Sequence, residues 1–414
     1  MALKAACRSC NNRGLTEILS LGTTPLANAL LATEQLQERE PMFPLDLAFC
    51  PSCTLVQITE TIPPEQLFSA YPYFSSYSDT MLRHAEALVG EIISSRRLNE
   101  ESLVVEIASN DGYLLQYYKR AGIRVLGVEP ARNVAEVAVR ERGIPTVVDF
   151  FGEGLAQRLA PNGMRADVIH AHNVLAHVAD LNGFVRGIRP LLKEGGVSVI
   201  EVPYVKELID RCEFDTVYHE HLCYFSLTSL DRLFRRHGLL IENVRRIPIH
   251  GGSLRITVGV DSDGRNQAHG IDSVANLLSE EKDWGVGSFE FYASFGARVE
   301  RLRETLRSLL VRLRREGNRI AAYGAAAKGS TLLNFLGMGR EILDFVADRS
   351  PHKQGRYMPG THLPICAPER LLEEMPQYVL LLSWNLVDEI LDQQREYRLR
   401  GGRFIIPVPE VRII

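Results

Sequence analysis

The chain has no run of about 18 consecutive apolar residues, the length a membrane-spanning helix needs, and its opening, MALKAACRSC, lacks the apolar core of a secretory leader. The expectation is a cytoplasmic protein with no membrane partner. Positive charge is not in surplus either. Against 47 Lys and Arg stand 51 Asp and Glu, a net charge of −4, so no broad field exists to hold a polyanion and nucleic acid is not an expected partner. The arginine-rich stretch RVERLRETLRSLLVRLRREG has no aromatics interleaved and reads as a solvated amphipathic helix connecting other elements. Cysteine is scarce beyond residue 53: of seven, four lie in the first 53 residues. In a reducing compartment that clustering argues against a disulfide framework and for a metal.

What is present is the composition of a soluble globular protein, 45% apolar and 24% charged over 414 residues, long enough for two or three domains with their own cores. CRSC (Cys7, Cys10) and CPSC (Cys50, Cys53) form two Cys-x-x-Cys pairs of matching spacing. Four thiolates suit tetrahedral zinc, and a site with four protein ligands has no open position, so the ion is structural. A redox pair is the competing reading. A small metal-stapled module over residues 1–68 is expected.

The segment LVVEIASNDGYLLQYYKRAGIRVLGVE reads as strand, turn, helix and second strand, a unit that places a ligand at the carboxyl ends of parallel strands. The Gly-x-Gly-x-x-Gly of dinucleotide binders is missing here. In its place stand Glu106, Ala108, Ser109, Asn110, Asp111 and Gly112, with Glu129 and Pro130 closing the second strand. An acid there can accept hydrogen bonds from both ribose hydroxyls, and without a phosphate cradle S-adenosylmethionine is favoured over NAD. ADVIHAHNVLAHVADL and GGVSVIEVPY continue the sheet, placing Asn173 and His177 at its mouth. The expected fold class is α/β: an N-terminal zinc-binding module, a central Rossmann-like methyltransferase domain over 69–245, and a C-terminal Rossmann-like domain with a helical connector over 246–414.

FDTVYHEHLCYFS follows the presumed fifth strand, so its histidines lie on a loop near the cofactor edge. A metal site, a satisfied polar loop and proton transfer all remain open for it. Proton transfer beside a methyl donor is the favoured reading. A carbon without a lone pair becomes nucleophilic once a proton beside a ketone is removed, which needs a near-neutral base and donors aimed at the enolate oxygen.

In order and spacing, the paired Cys-x-x-Cys start, LGTTPLAN, YPYFSSYS, VVEIASNDGYLL, GVEPARNVA, NVLAHVAD, YHEHLCYFS, HGGSLR, AYGAAAKGSTLLN and PGTHLPI make a chain that resembles the sugar C-methyltransferases of deoxysugar biosynthesis along nearly its whole length. The resemblance implies methyl transfer from S-adenosylmethionine to C-3′ of a nucleotide-linked 4-keto-deoxysugar, usually carried on dTDP, with GDP left open as the carrier. It implies His221 as the base, Tyr218 and Glu220 orienting sugar and base, His177 near the ketone oxygen, and Tyr71 and Tyr73 closing over the site. Ala108 departs from the glycine common in the family.

Further along, the glycine turn of IPIHGGSLR makes His250 and Ser253 candidate substrate contacts, with Tyr224 and Tyr323 beside them. RIAAYGAAAKGSTLLNFLG begins a second strand–turn–helix unit in which Lys328 could hold phosphate at a helix start, with Lys353 as a second candidate. A monomer is expected. An NAD(P)-dependent sugar-nucleotide oxidoreductase and a non-catalytic sugar-nucleotide-binding module are the rival readings.

Overall fold

The computed structural model describes residues 5–68, 74–249, 251–261 and 272–414. Three strands open the chain: β1 (Thr16–Thr24), β2 (Phe43–Phe49) and β3 (Val56–Ile58), paired antiparallel in sequence order. The two cysteine knuckles flank them. Each turns back by the same device: Asn11 and Thr54, both left-handed, donate their N–H to the carbonyls of Cys7 and Cys50 at 2.8 Å.

The central unit alternates strands and helices. β4 (Leu103–Ile107), β5 (Arg124–Val128), β6 (Thr146–Val147), β7 (Ala166–His172) and most of β8 (Leu192–Pro203) are parallel neighbours. β4 reads Leu-Val-Val-Glu-Ile and is buried at all five positions, as expected for a strand covered on both faces. The loop after β8 then contributes β9 (Cys223–Tyr224), which leaves this sheet and pairs with β3, making the fourth strand of the N-terminal sheet.

Ser226 caps the next helix, Leu227–Arg236, its Oγ accepting from the Ser229 N–H at 3.1 Å. A hairpin follows, β10 (Leu239–Ile247) and β11 (Ser253–Val260), and β11 runs antiparallel to β8, giving the order β10-β11-β8-β7-β4-β5-β6. The central sheet therefore continues past the expected boundary at 245. Buried Leu254, Ile256 and Val258 pack into its core, and the hairpin could not be divided without exposing them.

The arginine-rich stretch forms part of the helix Phe295–Arg315, which buries Phe295, Val299, Leu306, Leu310 and Leu313 along one face. The C-terminal unit holds β12 (Ile320–Tyr323), β13 (Val346–Ala347), β14 (Ile365–Cys366), β15 (Tyr378–Leu381), β16 (Arg403–Ile406) and β17 (Arg412–Ile413), in the order β14-β13-β12-β15-β16-β17. All pairs but the last are parallel, so this is a second doubly wound sheet. Among the described residues no helix is long and apolar enough to cross a membrane.

Candidate active site

The turn after β4 is tight: Ala108, Asn110 and Gly112 have φ of 54°, 50° and 78°. At Gly112 a β-carbon would stand 2.9 Å from Ile144, so only glycine fits. Ala108 adopts the same left-handed region with a side chain attached, at a conformational cost. The turn gathers acids. Glu129 at the end of β5 accepts from the Asn110 N–H at 2.9 Å and the Ala131 N–H at 2.8 Å. Burial nonetheless pushes its carboxyl up to about 7, with Asp111 adding repulsion. Burial, then Asp111 and Glu129, hold Glu106 well above the usual carboxylate range.

Asp111 is fixed by Arg142, which donates to its carbonyl at 2.7 Å and lies 3.5 Å from its carboxylate, and by the Ser76 hydroxyl. The Ser75 N–H donates to Asn110 Oδ1 at 2.8 Å. Glu106 Oε2, Ser109 Oγ, Asp111 Oδ1 and Asn173 Oδ1 are buried with no hydrogen-bond partner among the described residues. Orphaned acceptors and three carboxylates at the mouth of one sheet suit a cationic ligand bearing an ammonium group, a sulfonium and ribose hydroxyls. S-adenosylmethionine has all of these, so the residues fit it.

Beside this edge, Asn173 (φ 53°) ends β7 and a helical turn, Leu175–His177, follows. The 218–222 loop is stitched onto that turn by the Leu222 N–H donating to the Ala176 carbonyl at 2.7 Å. The His221 N–H closes a turn onto the Tyr218 carbonyl at 2.9 Å. This brings three rings together. The Tyr218 and His221 centroids are 4.1 Å apart, and the His177 ring meets His221 edge-on at 4.7 Å. His221 Nδ1 lies 2.9 Å from the Thr216 carbonyl and Nε2 lies 2.7 Å from the Tyr218 hydroxyl. Only Nδ1–H can donate to a carbonyl, so in its neutral form the ring keeps its lone pair on Nε2. Burial holds His177 down at about 4, which keeps it neutral. Glu220, 4% exposed, accepts from Asn28 Nδ2 at 2.7 Å.

The four cysteine sulfurs lie within 4.8 Å of one another, with Cys7–Cys53 at 3.4 Å and Cys10–Cys50 at 3.5 Å. Tetrahedral zinc with sulfurs at about 2.3 Å requires sulfur separations of about 3.8 Å, so the cluster fits zinc. No other group of ligating side chains dense enough for a metal occurs among the described residues, and His219 does not help to make one. Its Nε2 faces the Pro44 carbonyl at 3.0 Å and its ring packs on Phe43, away from His221.

Family models match three consecutive stretches: "Putative zinc binding domain" at 7–68, "Methyltransferase domain" at 81–244 and "C-methyltransferase C-terminal domain" at 248–409. The C-methyltransferase NovU of Streptomyces niveus is 37% identical over 411 residues, 99% of this chain and 96% of its own length. The chain belongs to the C-methyltransferase family.

Other relatives match in part. A ubiquinone biosynthesis O-methyltransferase of Azorhizobium caulinodans is 30% identical over 122 residues, 30% of this chain and 47% of that protein. Among solved structures, magnesium protoporphyrin IX methyltransferase from Synechocystis with bound S-adenosylmethionine is 12% identical, covering 43% of this chain and 78% of that one at a TM-score of 0.33. This C-methyltransferase takes S-adenosylmethionine as its methyl donor and zinc as its structural ion, and the oxidoreductase and non-catalytic readings fall away.

The remaining expected residues fall in several places. Tyr71, Tyr73 and His250 lie outside the described residues. Pro130 follows Glu129 into the turn that ends at Ala131. Tyr224 turns its hydroxyl to the Thr216 carbonyl at 3.3 Å, behind His221, and Ser253 is buried with its hydroxyl on the Ile249 carbonyl at 2.9 Å. Tyr323 is buried with its hydroxyl 3.5 Å from Gln394 Nε2.

The two half-buried lysines are engaged by groups of the protein itself. Lys328 donates to Asn385 Oδ1 at 2.6 Å and lies over the Trp384 ring, attracted by Asp215 and Glu213. Lys353 donates to the Ala325 carbonyl at 2.8 Å. Asn28, Ser75, Ser76, Arg142 and Thr216 are the site residues the sequence reading did not single out. Asn28, Ser75 and Ser76 lie within LGTTPLAN and YPYFSSYS and Thr216 within FDTVYHEHLCYFS, which was the signal available for them.

Proposed function

We propose that this C-methyltransferase methylates C-3′ of a nucleotide-linked 4-keto-6-deoxysugar by way of an enolate that its own side chains generate. The observation that carries the reading is His221, whose Nδ1 faces the Thr216 carbonyl and whose Nε2 meets a phenol in a loop fastened to the donor edge of the sheet. When bound, S-adenosylmethionine supplies a methyl group on a positively charged sulfur, open to attack by an electron-rich carbon.

His221 Nε2 receives the C-3′ proton, and the Thr216 carbonyl facing Nδ1 stabilises the imidazolium that results. Tyr218, released from Nε2 as the sugar enters, donates its hydroxyl to the sugar. The neutral His177 donates to the ketone oxygen as negative charge develops there. Glu220 orients the loop. Glu106, Asp111 and Glu129 hold the donor's cationic and ribose groups. The sugar carrier is dTDP or GDP, and the enzyme acts as a cytoplasmic monomer.

A mass-resolved methyl-transfer assay over a panel of 4-keto-6-deoxy and 4-hydroxy sugar nucleotides tests this. Methylation confined to the 4-keto members, with the new carbon on C-3′, is expected. Equal transfer to the 4-hydroxy sugars, or methylation on oxygen, overturns the enolate route.

A further inference from the structure

We propose that Asn28, from the N-terminal module, is a positioning residue for Glu220, so that the zinc-bearing module completes the methyl-transfer site rather than only folding beside it. The proposal rests on the role for Glu220 given above.

Asn28 and Glu220 are 192 residues apart in sequence, and their side chains meet at 2.7 Å. A buried carboxylate is costly unless donors face it, and an amide N–H aimed at an ionised oxygen is a charge-assisted bond. Asparagine serves this purpose in either protonation state, since its amide can present nitrogen to a carboxylate or oxygen to a carboxylic acid. A serine or alanine could not do both at this reach.

The turn carrying Asn28 is held independently of Glu220. Within it the Leu30 N–H returns to the Asn28 carbonyl at 2.8 Å. From the C-terminal unit, Ser330 Oγ donates to the Ala27 carbonyl at 2.8 Å. Leu31 and Tyr357 exchange backbone bonds at 3.0 and 2.9 Å, and Glu40 accepts from Gly360 N–H at 2.9 Å. The amide is therefore fixed by contacts on both sides of the turn. On the far side, Thr331 Oγ1 donates to the Val217 carbonyl at 3.2 Å, tying the start of the catalytic loop to the same helix that grips Ala27. Three units meet at this point, and Asn28 passes their alignment to the residue next to His221.

A double-variant cycle tests the coupling. Asn28→Ala is expected to lower kcat about tenfold or more, with KM for S-adenosylmethionine within about twofold of the parent and zinc content unchanged. In a Glu220→Gln background the same change is expected to alter kcat by less than about twofold, because its route of action is already gone. Asn28→Asp provides a near-isosteric second variant. Facing one carboxylate with another, it should lose at least as much activity, and adding Glu220→Gln should relieve the repulsion so that the pair is no worse than Glu220→Gln alone. Undiminished kcat in Asn28→Ala, or its full loss repeated in the Glu220→Gln background, overturns the proposal. Undiminished kcat in Glu220→Gln itself removes the role of Glu220, and the proposal falls with it, a result distinct from both of the others.

Discussion

The Tyr218 hydroxyl lies 2.7 Å from Nε2 of His221, while Nδ1 of the same ring faces the Thr216 carbonyl at 2.9 Å. These two contacts assign the tautomer and point the basic nitrogen at a phenol. Any proton taken from substrate must reach the nitrogen that Tyr218 covers, so the tyrosine moves or is displaced as substrate enters.

Tyr218→Phe should keep His221 in place through the Thr216 contact and lose the phenol's guidance of Nε2. We expect kcat to fall about tenfold to a hundredfold, with the S-adenosylmethionine Kd within about twofold. Calorimetric titration of the donor and single-turnover methyl transfer measure the two halves.

Glu129 gives the donor site a pH dependence. Its folded-state carboxyl, pushed up to about 7 by burial, binds a proton more tightly than the unfolded chain's does. Its contribution to stability without donor is therefore fully present below the ordinary carboxylate value and is lost as pH rises to about 7. Ribose hydroxyls donate to the ionised form, so S-adenosylmethionine should bind roughly tenfold more weakly at pH 6 than at pH 8. Kd against pH checks this, and Glu129→Gln should remove the slope as well as weaken binding.

The N-terminal module reaches the catalytic loop through main chain. β3 begins three residues after Cys53 and pairs with β9, with Val56 opposite Tyr224, and the Ile58 N–H donates to the Leu222 carbonyl at 3.1 Å. Metal analysis should find one zinc per chain. Removing it by chelation, or by Cys50→Ser, should speed amide hydrogen exchange at 222–224 as well as in 7–58, while exchange in β4 and β7 stays near the parent's.

Ala108 carries a left-handed φ of 54°. Ala108→Gly should relieve that strain and raise stability by about 1 kcal/mol, read as a higher denaturation midpoint at unchanged slope.

Much of this was legible in the chain. LVVEI is apolar at four of five positions and became a strand buried throughout, and the paired cysteines were readable from spacing. What escaped was set by partners distant in sequence. Lys328 lies between Gly324 and Gly329 at a helix start, and Asp215, Glu213 and Trp384, none of them near it in the chain, surround it. His219 and His221 would share a face on an extended strand. The turn from Tyr218 sends one to Pro44 and the other to Tyr218 and His177. The β10–β11 hairpin crosses the expected boundary because its register is fixed by β8, which no local pattern announces.

The central claim is that His221 removes the proton from C-3′. Proton NMR of a 4-keto-6-deoxy sugar nucleotide in deuterated water, with enzyme and S-adenosylhomocysteine in place of the donor, measures that step alone. The parent enzyme is expected to wash out the C-3′ signal, and His221→Asn to leave it intact while binding S-adenosylhomocysteine as before. Exchange at the parent rate in His221→Asn would contradict the account and place the base on another residue.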